Sequence, residues 1–187
     1  MTYRLWQKRR ALKYNNKVLD IVQFGSSMKE NSDPKDIDIA VIFTNTPIKD
    51  QLIESQKIKK QIEKEVEKEV HIKSYDLYSL LDQANFARES ILIYGKSIIT
   101  GEYFAKIFGL NPKIQIIYRL EKLDKKTKIR FHYMLRGRQK QYGLLKKYGG
   151  KLISPGLIEI MPEHENIFIE AIETITKNYE KKNIMYT

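Results

Sequence analysis

Two short apolar segments joined by a turn of small residues constrain the fold of this chain more than any other feature. Residues 18–24 (VLDIVQF) and 39–43 (IAVIF) are rich in β-branched and aromatic residues and have the length of strands. Between them lie Gly25-Ser26-Ser27 and, where the second strand begins, Asp36-Ile37-Asp38. Because side chains alternate along a strand, Asp36 and Asp38 are predicted to share one face, about 7 Å apart.

This carboxylate pair indicates a metal site. Two carboxylates held so close repel each other unless a cation lies between them. Mg²⁺ is a hard ion that takes oxygen ligands and usually shares them with substrate phosphates. We therefore predict Mg²⁺ as the cofactor, with Asp36 and Asp38 as its ligands.

The turn before the pair suits the same chemistry. Gly25 lets the backbone approach a ligand closely, and Ser26 and Ser27 offer hydroxyl and N–H groups to phosphate oxygens. We predict these three residues to bind a nucleotide beside the metal. The alternative reading of the same residues is a hairpin loop with an acidic rim.

Gly25-Ser26, nine residues and then Asp36-Ile37-Asp38 resemble the signature of the polymerase-β-like nucleotidyltransferase superfamily. The resemblance covers roughly the first 105 residues and includes Tyr94-Gly95-Lys96. It implies an α+β fold, with a small mixed sheet and flanking helices. It also implies transfer of a nucleoside monophosphate from a nucleoside triphosphate to a hydroxyl acceptor. That acceptor would be a nucleic-acid end, or a protein side chain as in minimal nucleotidyltransferases paired with toxin partners.

The third carboxylate of the resembled family is the main departure. Residues 70–75 (VHIKSY) alternate and predict the strand that usually carries it. The expected position falls on His71, and Glu69 lies two residues away on the same face. We predict Glu69 as the catalytic carboxylate beside Asp36 and Asp38, while His71 is as well explained by a structural role. The alternative function is a catalytically weak or inactive protein that acts as an RNA- or DNA-binding module or regulates a toxin partner.

The positive charge of the chain is concentrated in one block. The net charge is +11, and residues 112–151 contain thirteen Lys or Arg against only Glu121 and Asp124. A basic block with interleaved tyrosines is typical of nucleic-acid binding. We predict that residues 112–151 contact RNA or DNA, with Arg136, Arg138 and Lys140 as the binding residues.

Two domains are expected from these patterns. Residues 1–110 would form the nucleotidyltransferase-like domain, with an amphipathic helix from Pro47 to about Lys68, and residues 111–187 a small basic α+β accessory domain. The chain has no cysteine, so disulfides and thiolate metal sites are excluded. It also lacks an apolar run of the ~18 residues needed for a membrane span and an apolar leader near its first residue. We therefore expect a cytoplasmic protein with no membrane partner.

Overall fold

The computed structural model describes residues 4–7, 11–139 and 141–187, and their architecture confirms the predicted α+β fold with a mixed sheet and flanking helices. The described strands are β1 (Val18–Phe24), β2 (Asp36–Phe43), β3 (Glu69–Asp76), β4 (Lys96–Ser97), β5 (Asn111–Tyr118), β6 (Gly137–Arg138), β7 (Gln141–Tyr142), β8 (Lys151–Ser154), β9 (Leu157–Ile160) and β10 (Tyr179–Tyr186). The described α-helices are α1 (Ile48–Glu63), α2 (Leu77–Leu81), α3 (Arg88–Tyr94), α4 (Lys125–Arg136), α5 (Leu144–Lys147) and α6 (Glu165–Glu173).

The chain divides into two compact units. The first comprises the residues up to Met28 together with Ser32–Asn111, and the second comprises Lys29–Asn31 and Pro112–Thr187. In the first unit, a four-stranded sheet has the order β3-β2-β1-β4. β1 pairs antiparallel with β2 and with β4, while β2 and β3 are parallel. A parallel pair needs a crossover connection, and α1 supplies it.

Hydrophobic residues cover both faces of this sheet. On one face, alternate residues of β2 (Ile37, Ile39, Val41 and Phe43) are buried in one cluster with Ile58 and Ile62 of α1. On the other face, Ala40 and Ile42 are buried with Val22 and Phe24 of β1 and with residues of α2 and α3. Alternation places Asp36 and Asp38 on this second face at the start of β2, and both are half-buried.

Helix α1 is shorter than predicted, since it ends at Glu63 and not near Lys68. β3 begins at Glu69, where Glu69 pairs with Asp36 in the register of the parallel sheet. Residues 64–68 therefore serve as the connection into β3. Within this connection, the Lys68 ammonium forms an ion pair with the Asp33 carboxylate at 3.0 Å.

The second unit contains its own sheet, in the order β10-β5-β9-β8, and the β6-β7 hairpin. Phe131 of α4 is fully buried, and its ring lies 4.7 Å from the ring of Tyr118 in β5. Lys29–Asn31, which precede β2 in the sequence, belong to this unit. The Glu30 carboxylate lies 2.8 Å from His164 Nδ1, and the Lys29 ammonium lies 3.2 Å from the Glu165 carboxylate.

Among the helices that the structure describes, none has both the length and the apolar character needed to cross a lipid bilayer.

A buried carboxylate connects β1 to the turn that follows β4. Asp20 is 4% exposed, and its Oδ1 accepts hydrogen bonds from the Ser97 hydroxyl at 2.6 Å and the Ile21 N–H at 2.7 Å. Burial raises the pKa of Asp20, and these two hydrogen bonds lower it in part. The Ser97 oxygen also accepts from the N–H groups of Ile99 and Thr100. Ser97 therefore donates a hydrogen bond to the buried Asp20 carboxylate and also stabilises the turn at Ile99 and Thr100.

Replacement of Ser97 by alanine is expected to lower the free energy of unfolding by roughly 1 to 3 kcal/mol, because it leaves a buried carboxylate short of a donor. Chemical denaturation measures this loss. Ser26→Ala is the matched control, since it deletes the same hydroxyl at an exposed position of the same unit, where a change within about 0.5 kcal/mol is expected. Equal effects of the two substitutions would contradict the role given to Ser97.

Candidate metal and nucleotide site

The strand register brings the polar residues of β2 and β3 together at one end of the first sheet. In β2, Asp38 lies opposite Phe24 of β1 on one side and opposite His71 of β3 on the other. Asp36 lies opposite Glu69 in the same parallel ladder. The loop that begins with Gly25 leaves β1 at this end of the sheet.

Asp36, Asp38 and His71 form a cluster with the spacing of metal ligands. One ligand atom from each residue lies within 4.8 Å of the other two. His71 Nδ1 is 3.3 Å from Asp36 Oδ2 and 4.0 Å from Asp38 Oδ1. Donor atoms bound to one divalent ion at about 2.1 Å lie about 3 to 4 Å apart, and the two distances from His71 Nδ1 fall in this range.

The electrostatics of Asp38 favour a cation. Burial raises the pKa of Asp38, and the negative charge of Asp36 raises it further, while His71 and Lys73 lower it. The same charge of Asp38 adds to burial in raising the pKa of Tyr75. A partly buried carboxylate beside a second carboxylate is an unfavourable arrangement that a bound cation would relieve.

Gly25 is required by the position of Asp38. Its φ is +79°, in the left-handed region that favours glycine, and a Cβ added there would lie 2.2 Å from Asp38 Oδ2. Its N–H donates to Ser90 Oγ of α3 at 3.3 Å. The backbone of the loop can therefore reach the carboxylate only because residue 25 has no side chain.

The two serines after Gly25 have different surroundings. Ser26 is exposed, and its carbonyl accepts a hydrogen bond from the Ser32 hydroxyl at 2.8 Å. Ser27 is 1% exposed; its hydroxyl donates to the carbonyl of Phe24 and accepts from the side-chain amide of Gln23. Ser26 is therefore accessible from solvent, whereas the Ser27 hydroxyl stabilises the loop through its two internal hydrogen bonds.

A family model described as "Polymerase beta, Nucleotidyltransferase" matches residues 8–99. These residues form a polymerase-beta-type nucleotidyltransferase domain. The match contains the Gly25 loop, the Asp pair and His71, and it confirms the family that the sequence resembles. No curated protein matches the chain.

A nucleotidyltransferase domain implies a nucleotide substrate and usually employs divalent metal ions. The carboxylate oxygens of Asp36 and Asp38 and the Nδ1 of His71 would hold such an ion here. The remaining predicted catalytic residue, Glu69, lies on the far side of His71, with its Oε1 3.2 Å from Nε2. Its side chain is 72% exposed, and its catalytic role stays a prediction.

Two residues of this site were not among the predicted site residues. His71 stands in the cluster because parallel pairing sets it opposite Asp38, and the sequence signal for this was only its alternation with Glu69. Ser90 reaches Gly25 from a helix 65 residues away, and no sequence pattern indicated that contact.

The predicted nucleic-acid residues lie in the second unit. Arg136 and Arg138 are exposed, at the end of α4 and in β6, and Lys140 lies outside the described residues. The guanidinium carbon of Arg138 is 5.2 Å from the centre of the Tyr133 ring, and the ammonium of Lys146 is 4.0 Å from the Tyr142 ring. These distances are typical of cation–π pairs. Their contact with nucleic acid stays a prediction.

Replacement of Asp38 by asparagine is expected to stabilise the metal-free protein at neutral pH. Because the pKa of Asp38 is raised in the folded protein above 3.8, its contribution to stability is lost as the pH rises through the raised value. The difference in unfolding free energy, variant minus parent, should therefore grow between about pH 4 and pH 7. Denaturant titrations in chelator across this range measure it.

Asp50→Asn is the control for that comparison, since Asp50 is an exposed acid in the first turn of α1. Its variant should show no such growth with pH. A flat or falling difference for Asp38→Asn would contradict the electrostatics described for the site.

Proposed function

We propose that the chain transfers a nucleoside monophosphate from a nucleoside triphosphate to an acceptor hydroxyl in a reaction that depends on a divalent cation. The observation that carries this proposal is the Asp36, Asp38 and His71 cluster, which sits beside the Gly25 loop within the matched family domain. Taken alone, the two carboxylates suit Mg²⁺, and the His71 nitrogen adds a donor that other divalent ions accept.

The residues of the chain have separate tasks in this reaction. Asp36 and Asp38 would supply the oxygen ligands for a cation at the start of β2. The backbone and exposed hydroxyl of the Gly25-Ser26 turn bind the β and γ phosphates, and Ser27 maintains the turn through its two internal hydrogen bonds. Ser90 fixes the Gly25 amide at the start of this loop.

The chemistry is a displacement at the α phosphorus. The acceptor oxygen forms a bond to this atom, the bond to the oxygen bridging to the β phosphate breaks, pyrophosphate leaves, and the acceptor hydroxyl releases its proton to water. When bound, the cation neutralises charge on the phosphate oxygens. A nucleic-acid end or a protein side chain would serve as the acceptor.

The double substitution of Asp36 and Asp38 by asparagine is expected to abolish transfer. The charge stabilisation by a held cation is worth several kcal/mol, so the rate should fall by about a hundredfold or more. The assay incubates the chain with triphosphates labelled at the α phosphate, with divalent cations, and with either RNA or protein acceptors. Label that becomes covalently attached to an acceptor reports the reaction.

Asp50→Asn should transfer label at the parent rate, because its carboxylate lies on α1 and outside the cluster. Persistent labelling by the double variant would place the reaction elsewhere. A parent protein that labels neither kind of acceptor with any divalent cation would refute the proposal.

A second candidate function is nucleic-acid binding by the basic block, with or without catalysis. It is favoured by the charge of residues 112–151 and by the exposed Arg138–Tyr133 and Lys146–Tyr142 pairs. It is also favoured by the histidine that stands where the resembled family has its third carboxylate. The catalytic and binding functions are compatible, since a bound nucleic acid would be a natural acceptor.

Replacement of Arg136, Arg138 and Lys140 by glutamine is expected to flatten the salt dependence of RNA or DNA binding. Each phosphate contact releases counterions, so the slope of log affinity against log salt should fall by roughly two to three units. Salt titrations with single-stranded and duplex RNA and DNA measure it. Replacement of Lys49, Lys60 and Lys64, which are exposed along and just after α1, removes the same charge and should leave the slope unchanged.

Parallel slopes for the parent and the Arg136, Arg138 and Lys140 variant would show that these side chains do not meet phosphate. Absence of binding even at about 50 mM salt would remove nucleic acid as the partner.

A further inference from the structure

His71 has carboxylates near both of its ring nitrogens, two at one nitrogen and one at the other. Its Nδ1 faces Asp36 and Asp38, at 3.3 and 4.0 Å, while its Nε2 lies 3.2 Å from the Glu69 carboxylate. Parallel pairing sets Glu69 opposite Asp36 and His71 opposite Asp38, so this order follows from the strand register.

This is the arrangement found around histidines that bind metals. Such a histidine commonly donates its second ring N–H to a carboxylate, which fixes the orientation of the ring and increases the basicity of the ligating nitrogen. A neutral His71 with its proton on Nε2 would present that N–H to the Glu69 carboxylate, whose Oε1 lies 3.2 Å away. The lone pair of Nδ1 is then directed at the space shared with Asp36 and Asp38.

We propose that His71 is a metal ligand through Nδ1, that Glu69 is its positioning residue, and that the Asp36, Asp38 and His71 set prefers Mn²⁺ or Zn²⁺ to Mg²⁺. The inference deepens the proposed function, on which its choice of site rests. It names the ion class, and it gives Glu69 a role that acts through His71.

The preference follows from the chemistry of the donor atoms. Mg²⁺ favours oxygen ligands and gives up its water reluctantly, whereas imidazole nitrogen suits first-row transition metals and Zn²⁺. Three carboxylates would present oxygen alone, but this site presents two carboxylates and one nitrogen. Replacing one oxygen donor by nitrogen leaves Mg²⁺ with fewer suitable ligands and improves the site for Mn²⁺ and Zn²⁺.

A competing explanation uses the same distances without a metal. A protonated His71 would donate from both nitrogens and act as the cation that holds the three carboxylates together. In that case, divalent ions would compete poorly for the site, and no metal-bound imidazole would form. The two explanations differ in what added Mn²⁺ does.

The deciding experiment titrates the full chain with Mn²⁺ in the absence of nucleotide and follows free Mn²⁺ by electron paramagnetic resonance. Competition with Mg²⁺ then gives the ratio of the two affinities. Substitution of His71 by aspartate is expected to reduce the preference for Mn²⁺ over Mg²⁺ by about tenfold or more. Spin-echo modulation from imidazole nitrogen should be present on the Mn²⁺ bound to the parent and absent in the variant.

Further variants separate the ligand from its positioning residue. Glu69→Ala should weaken Mn²⁺ binding by roughly 10- to 100-fold, whereas Glu69→Gln, which keeps an acceptor oxygen, should restore most of the affinity. His71→Gln serves if the aspartate variant does not fold, because it removes the nitrogen ligand without adding charge. His132→Gln is the matched control, since His132 is exposed on α4 of the second unit, and its variant should bind Mn²⁺ like the parent.

An unchanged Mn²⁺ to Mg²⁺ ratio in the His71 variants, or no nitrogen modulation on the Mn²⁺ bound to the parent, would overturn the inference. These outcomes are distinguishable from failure of the proposed function. Nucleotidyl transfer that proceeds with no metal preference would preserve the function and refute the ligand. Binding of Mn²⁺ that depends on His71, without transfer of label, would preserve the ligand and refute the function.

Discussion

The parallel pairing of β2 with β3 is the constraint on which the site depends. Neighbouring strands lie about 4.8 Å apart, so a residue of β3 meets the Asp pair only if the register sets it opposite. The apolar residues of the two strands fix that register, because Val70 is fully buried and packs in the cluster that contains Ile37 and Ile39. A slip of one residue would turn Val70 to the polar face and His71 into the core. The hydrophobic face against α1 thus positions the chemistry on the opposite face.

Asp20 and Asp38 are aspartates of the same sheet, and the groups around each side chain determine whether it has a structural role or belongs to the candidate metal site. Asp20 receives two short hydrogen bonds, from Ser97 and from the Ile21 backbone, and it stabilises a turn. Asp38 has a second carboxylate and an imidazole as its neighbours, with Gly25 pressed against one oxygen. Burial raises the pKa of both groups, but only Asp38 lies in a cluster whose electrostatics a cation would improve. The cores on both faces of the sheet allow that unfavourable cluster to persist in the folded protein.

The sequence contained enough information for the outline of this half of the chain. Strand-length apolar runs on either side of Gly25-Ser26 and Asp36-Ile37-Asp38 predicted β1, β2 and the shared face of the two aspartates, because these features depend only on neighbours along the chain. The sequence did not predict which side chain of β3 joins Asp36 and Asp38 in the cluster. Glu69 and His71 share a face of β3, and only the pairing register decides which of them meets Asp38. Ser27 shows the same limit of sequence-based prediction. A serine hydroxyl can bind phosphate, but the hydroxyl of Ser27 is hydrogen-bonded to the Gln23 side chain and the Phe24 carbonyl inside the protein.

For the proposed binding of nucleic acid, the surface of the second unit favours contact with phosphates over contact with bases. Arg138 and Lys146 each lie over a tyrosine ring, and such a pairing limits the freedom of the cationic side chain before anything binds. A cation that is already ordered loses less conformational entropy when it meets a phosphate. The same pairing occupies one face of the Tyr133 ring and one face of the Tyr142 ring, which reduces the aromatic surface on which a base could stack. A third tyrosine, Tyr148, packs against His164 and Phe168. A nucleic acid on this surface would therefore be held mainly through its backbone, with little discrimination among sequences.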